Sequence, residues 1–151
     1  MKPSEIEVLL VEDSSTDAEL IMLAFKKNNL TNKVLVVTDG QEALDCIFAR
    51  GAYQDQNIKQ GLRVILLDLN LPRVSGLNVL AALKSDPTTR TIPVVVLTSS
   101  QLDTDIAECY RLGANSYIVK PVDYDNFIKY LGYIGFYWFK MNQLTPLRKA
   151  T

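Results

Sequence analysis

The segment Val64-Ile65-Leu66-Leu67-Asp68 constrains this chain more than any other. Four apolar residues without polar alternation read as a strand buried on both faces, as inside a parallel sheet. Asp68 ends the run, and Leu69-Asn70-Leu71-Pro72 followed by Ser75-Gly76 turns the chain back. In open parallel sheets, ligands sit beyond the carboxyl ends of the strands. Asp68 therefore stands at the edge where chemistry is expected, and the question becomes what the other strands bring to it.

Four more strands follow from the same pattern. Ile6 to Val11 ends in Glu12-Asp13, and Lys33 to Val37 is short. Ile92 to Leu97 ends in Thr98-Ser99-Ser100, and Ser116 to Val119 ends in Lys120-Pro121. Helices alternate with them. Ser14 and Asp17 have capping-box spacing and open a helix with Leu20, Leu23 and Phe25 inward and Lys26 and Lys27 at its end, where cations suit the helix dipole. A second helix carries Ala43, Leu44, Ile47 and Phe48, and a third carries Leu77, Leu80, Ala81 and Leu83. Asp103 is expected to cap a fourth, closed by a left-handed Gly113, and Asp123 starts a long fifth. Five strands alternating with five helices predict right-handed crossovers and a doubly wound α/β sheet. Gly51 to Gly61 is long for a connection and reads as a tolerated surface insertion. The domain is expected to span residues 5–141, with 142–151 as a tail and no effector domain.

Composition narrows the function. The 151 residues suffice for one domain with its own core. With a net charge of −1 and no basic stripe, the footprint of a nucleic-acid binder is missing. The apolar runs are too short to cross a bilayer, and the polar start carries no signal peptide, so a cytoplasmic protein without membrane contact is expected. Cys46 and Cys109 lie far apart without metal-ligand spacing and read as core thiols. The chain has no histidine. A histidine general base, a Ser-His-Asp triad and a histidine metal site are all excluded, leaving carboxylates, hydroxyls and lysine.

The strand ends supply those groups: Glu12 and Asp13 from the first strand, Asp68 from the third, Thr98 from the fourth and Lys120 from the fifth. Strands one, three and four should be neighbours near the switch point of such a sheet. Three carboxylates crowded together need a cation or a proton, and an oxygen-only set suits Mg2+. A carboxylate can attack a phosphoryl group and hold it as an acyl phosphate; the rest of that chemistry is positioning and charge neutralisation. Asp68 is then the nucleophile. Glu12 and Asp13 hold Mg2+ directly or through water, while Lys120 and the Thr98 hydroxyl each take a phosphoryl oxygen. Singly, each residue has a bland reading as a turn or strand-end residue; the joint pattern is what is specific.

That pattern resembles the response-regulator receiver domain of two-component signalling. Glu12-Asp13 resembles the family's acidic pair, Asp68 with Pro72 and Gly76 the phosphoacceptor segment, Thr98-Ser99 the switch hydroxyl with its small neighbour, Lys120-Pro121 the invariant lysine with a cis-proline, and Tyr117 the switch aromatic. The resemblance implies a flavodoxin-like five-stranded parallel sheet of order 2-1-3-4-5 with helices on both faces. It implies the Asn70 carbonyl as a further Mg2+ ligand beside Glu12, Asp13 and Asp68, and a sensor histidine kinase as partner. Catalysis would be limited to self-phosphorylation from a phosphodonor and slow self-dephosphorylation. The segments Leu66 to Arg73, Pro93 to Ser100 and Phe136-Tyr137-Trp138 resemble stand-alone regulators partnered with bacterial phytochrome kinases. Ser100 replaces the acid or amide found in fast-cycling relatives, which leaves the dephosphorylation rate open. A haloacid-dehalogenase-type phosphatase needs a second acid where this chain has Asn70, and fails on that residue. An unphosphorylated scaffold of the same fold is the alternative; such proteins usually lose one of the residues kept here.

In the last helix, Phe127, Leu131, Ile134, Trp138 and Met141 share one face and read as core. Tyr130, Tyr133 and Tyr137 form a second stripe, extended by Phe136 and Phe139. Gly132 and Gly135 suggest close approach by another backbone. A homodimer through this helix and the fifth strand is expected, unless the tail folds back over the tyrosines.

Overall fold

The computed structural model describes residues 2–146. Five strands, β1 (Val8–Val11), β2 (Val34–Val37), β3 (Val64–Leu67), β4 (Val94–Thr98) and β5 (Ser116–Val119), form one sheet of order β2-β1-β3-β4-β5. Every pairing is parallel. The helices are α1 (Ser15–Lys27), α2 (Gly40–Ile47), α3 (Gly76–Ser85), α4 (Asp103–Leu112) and α5 (Tyr124–Gly135), with a π-helical extension over Phe136–Met141. The flavodoxin-like topology is the expected one.

Strand alternation sends successive side chains to opposite faces, and the core divides accordingly. Leu9, Val11, Ile65, Leu67, Val94 and Val96 pack against α2, α3 and α4 through Ala43, Ile47, Val79, Leu80, Leu83 and Cys109. Val8, Leu10, Val64, Leu66, Val95 and Leu97 pack against α1 and α5 through Ile21, Ala24, Phe25, Phe127 and Leu131. Both thiols are free and buried, as expected. In α1 the inward residues are Ile21, Ala24 and Phe25, whereas Leu23 is exposed. The polar connection after α2 is more than a surface insertion, because Ile58 and Leu62 are buried in the α2–α3 layer.

Four helices open on a side-chain cap: Ser14, Asp39, Ser75 and Asp123 each accept a backbone N–H three residues on. The fourth helix differs. Asp103 lies inside the first turn, and Leu102, which precedes it, offers no side-chain cap. Gly113 closes that helix in the left-handed conformation, φ 107°.

The end of the chain corrects the periodicity argument. A π-helical turn holds more residues than an α-helical one, so the inward face slips by one position. Phe139, 3% exposed, takes the core place expected of Trp138 and packs edge-on against Phe25 at 4.9 Å between ring centroids. Met141 is 59% exposed. Gly132 and Gly135 are crowded from within the same chain. A Cβ on Gly132 would lie 2.8 Å from Asn28 Oδ1, and one on Gly135 would strike Leu30 Cδ1. Both neighbours belong to the C-terminal end of α1 and the turn after it. The close approach is therefore made by side chains of this chain rather than by a partner's backbone.

Gly76 is more restricted still. A Cβ there would collide with the Asp68 carbonyl oxygen and lie 2.5 Å from Leu69 Cα, and these are backbone atoms that cannot swing aside. Gly76→Ala is expected to cost about 1–3 kcal/mol, the range for overpacking. Gly132→Ala, opposed only by a movable Asn28 side chain and favoured by helix propensity, is expected to change stability by less than about 1 kcal/mol. Urea unfolding midpoints of the two variants check the difference.

Candidate functional site

The strand ladder itself assembles the site. Glu12 N–H donates to Val37 O at 3.0 Å, Asp68 N–H to Val11 O at 3.1 Å and Lys120 N–H to Thr98 O at 2.8 Å. Each bond lies one step past the last strand residue, so these side chains emerge together from the carboxyl edge. Thr98 closes β4 and is fully buried. The loop after Asp68 is tightly built: Leu69 N–H donates to Asp68 Oδ1 at 2.7 Å and Gly76 N–H to Leu69 O at 2.9 Å.

Lys120 is the hub. Its Nζ donates to Glu12 Oε1 at 2.5 Å, Asp17 Oδ2 at 2.9 Å and Asp68 Oδ2 at 3.2 Å. Burial alone would lower its pKa, but Glu12 and Asp17 outweigh that effect and hold it above the ordinary lysine value. Burial also pushes the Asp68 carboxyl up, yet the Lys120 ammonium, the Thr98 hydroxyl and Glu12 together bring it below the usual carboxylate range. Glu12 moves the other way. Burial, with the charge of Asp68 beside it, raises it to about 7 against the pull of Lys120. One ammonium and one shareable proton thus offset the crowding of acids.

Glu12, Asp13 and Asp68 each offer an oxygen within 4.8 Å of the others, with Asp13 exposed and the other two buried. A convergent oxygen-only set of this kind suits a hard divalent cation. Asn70 is exposed beside it, and its N–H lies 3.4 Å from Asp68 Oδ1. The Tyr117 hydroxyl donates to Ser100 O at 3.0 Å, and the Ser100 hydroxyl donates to Asp105 Oδ2 at 2.6 Å. The described residues contain no cis peptide bond, so the Lys120–Pro121 bond is trans, against the sequence expectation. In an X–Pro bond the two forms differ by only about 0.5–1 kcal/mol, so residue type does not decide between them.

Sequence reasoning missed Asp17. It read this residue as half of a capping box, and the Asp17 N–H does donate to Ser14 Oγ at 3.2 Å. The reciprocal bond is not made, because Ser14 N–H donates to Glu12 Oε2 at 3.3 Å and the Asp17 carboxylate takes Lys120. The available signal was direction. Helical side chains lean toward the N-terminus, so an acid in the first turn of α1 leans back over the strand edge.

The response regulator receiver domain family matches residues 8–132. The chain belongs to that family. Among curated receivers it is 37% identical to the probable methanogenesis regulatory protein FilR2 of Methanothrix harundinacea, over 90% of this chain and 85% of that protein. It is 34% identical to response regulator Rcp1 of Synechocystis, over 87% of each. The phosphorylated cyanobacterial phytochrome response regulator RcpA superposes with a TM-score of 0.85 at 36% identity, covering 93% of this chain and 98% of that one. A solved form of Rcp1 is bound to Mn2+. Receiver domains bind Mg2+ or Mn2+ in an acidic pocket, and the donor set here fits such an ion.

A carboxyl whose folded pKa lies above its unfolded value takes up a proton on folding. The metal-free receiver should therefore lose stability as pH rises from 4.5 to about 7, and then level off. The contribution of Asp68 has the opposite sign and is lost only as pH falls below 3.8. Glu12→Gln should flatten the upper window. Unfolding midpoints in chelator across that range check this; equal slopes in both proteins would count against it.

Proposed function

We propose that this receiver accepts a phosphoryl group on Asp68 from the phosphohistidine of a sensor histidine kinase, and that the kinase is of the phytochrome type. The observation that carries the reading is the placement of Asp68. Its carboxylate is buried, ionised below the usual range, and in contact with an ammonium whose other partners are acids.

The ionised Asp68 oxygen attacks phosphorus. The new P–O bond forms as the P–N bond to the donor imidazole breaks, and the electron pair leaves with that nitrogen. Lys120, already at 3.2 Å from Asp68, neutralises one phosphoryl oxygen, and the Thr98 hydroxyl hydrogen-bonds another. Glu12, Asp13, Asp68 and the Asn70 carbonyl would hold Mg2+, which when bound supplies positive charge to the transferring oxygens. The phytochrome partner rests on likeness to RcpA, named a phytochrome response regulator, along nearly the whole chain.

The output is a shift between two existing conformations. Thr98 and Tyr117 are already joined through one short segment. Ser100 N–H lies 3.5 Å from Thr98 Oγ1, and Ser100 O accepts the Tyr117 hydroxyl. Movement of Thr98 toward a phosphate would therefore be felt at β5.

The receiver also forms a homodimer through α5, its π-helical extension and the β5 edge. Tyr130, Tyr133, Phe136, Tyr137 and Met141 are exposed on that helix. Residues 142–146 do not cover them. Arg63 donates to Asn142 O at 2.8 Å, and Leu144 lies with Ser4, Glu7 and Lys33 at the opposite, amino edge of the sheet. The remaining tail lies outside the described residues.

Two measurements test these readings. With acetyl phosphate and Mg2+ the parent protein should take up one phosphoryl group and Asp68→Asn none; an unlabelled parent would favour the scaffold alternative. In light scattering at micromolar concentration the parent should have the mass of two subunits. Phe136→Glu should weaken association by more than about tenfold, as expected for an aromatic at the centre of an interface.

A further inference from the structure

Asp17 is the one partner of Lys120 that stands outside the cation cluster. Of the three carboxylates on the ammonium, Glu12 and Asp68 are also two of the three whose oxygens converge. Asp17 is not among those three. Its carboxylate is about one-third exposed, at the mouth of the pocket, whereas the Lys120 side chain is buried. The direction of its side chain is not a by-product of capping. The reciprocal capping bond that its position would allow is given up, with Ser14 N–H turned to Glu12 instead.

This division of partners matters once a divalent cation enters. Glu12 and Asp68 would hold such a cation, whose charge would repel the ammonium, so two of the three bonds that hold Lys120 would weaken together. A lysine ammonium on a flexible stem stays in a buried site only while acceptors there hold its protons more firmly than water does. With those two bonds weakened and no further anchor it would leave for solvent, and the phosphoryl oxygen would meet no pre-placed charge.

We propose that Asp17 is a positioning residue that keeps the Lys120 ammonium in the pocket while a divalent cation occupies Glu12 and Asp68. This rests on the phosphoacceptor reading of the site and goes beyond it by dividing the labour among the acids: three face the cation, and the fourth serves the lysine. It also gives Lys120 a place to rest before the phosphoryl group arrives.

The test follows the Lys120 side-chain ammonium by 15N NMR in the full chain, using Mg2+ alone as probe, in the parent, Asp17→Asn and Asp17→Glu. A Lys120→Arg spectrum assigns the signal. A protected ammonium signal is expected in all three metal-free proteins, since Glu12 and Asp68 suffice there. With saturating Mg2+ it should persist in the parent and in Asp17→Glu and be lost in Asp17→Asn. Persistence in Mg2+-loaded Asp17→Asn would overturn the proposal, and so would its loss from the metal-free variant or from the Mg2+-loaded parent. The rate of labelling by acetyl phosphate should fall about tenfold in Asp17→Asn, as for a lost supporting contact, and recover in Asp17→Glu. If the parent takes no label, the phosphoacceptor reading fails, while the NMR arms still decide whether Asp17 anchors the lysine.

Discussion

The contact between one buried ammonium and three carboxylates is the constraint on which the rest of this molecule depends. Lys120 comes from the last strand, Asp68 from the middle one, Glu12 from the first, and Asp17 from the helix that follows the first. Removing one member of such a set leaves uncompensated charge in a place of low polarisability, which costs more than the set contributes when whole. The arrangement is therefore poor as a source of stability and good as a device. A cluster balanced by one lysine and one shared proton would respond strongly to a further cation or to a dianionic phosphoryl group.

The sheet exists in a form that makes this balance possible. Parallel strands all present their carboxyl ends to one edge, and the side-by-side register of β1 with β3 and of β4 with β5 sets how far apart the edge residues stand. Helix α1 then turns back across that edge. Its first turn, capped by Ser14, brings Asp17 to a lysine more than a hundred residues away. The same loop geometry explains why Gly76 admits no side chain. The chain must pass directly under the Asp68 carbonyl to start α3, and the closeness of that passage holds the Asp68 backbone still.

Much of this was legible in the residues, and what was not has identifiable physical causes. An unbroken Val-Ile-Leu run before Glu12, Asp68 and Thr98 reports a two-faced buried strand and its end, and the shorter half-buried run before Lys120 completes the sheet, so these residues and Asp13 could be read directly. Asp17 was hidden because a local explanation, capping, sufficed for it. The boundary of α4 was misplaced because Asp103 is a good cap former, while the N–H it could have capped, that of Ile106, donates to the Leu102 carbonyl inside the helix. Periodicity failed beyond Gly135, where the turn widens and brings Phe139 rather than Trp138 onto Phe25. A 3.6-residue rule cannot anticipate such a change of pitch.

Unequal anchoring of the helices gives the site its route to the surface. Helix α1 is bound to the core by Ile21, Ala24 and Phe25, and α5 by Phe127, Leu131 and Ile134, whereas α4 buries only Cys109 and lacks a side-chain cap. Its first turn is held instead by the Ser100 hydroxyl on Asp105, and Ser100 is two residues from Thr98 and also accepts the Tyr117 hydroxyl. Segments with few buried apolar contacts open at lower free energy than the core around them. A change of charge at Asp68 would therefore meet a stiff scaffold on the α1–α5 side and a yielding one at the start of α4. A displacement of Thr98 would be relieved where restoring forces are weakest, so the direction of such a response would be set by how little of α4 is buried.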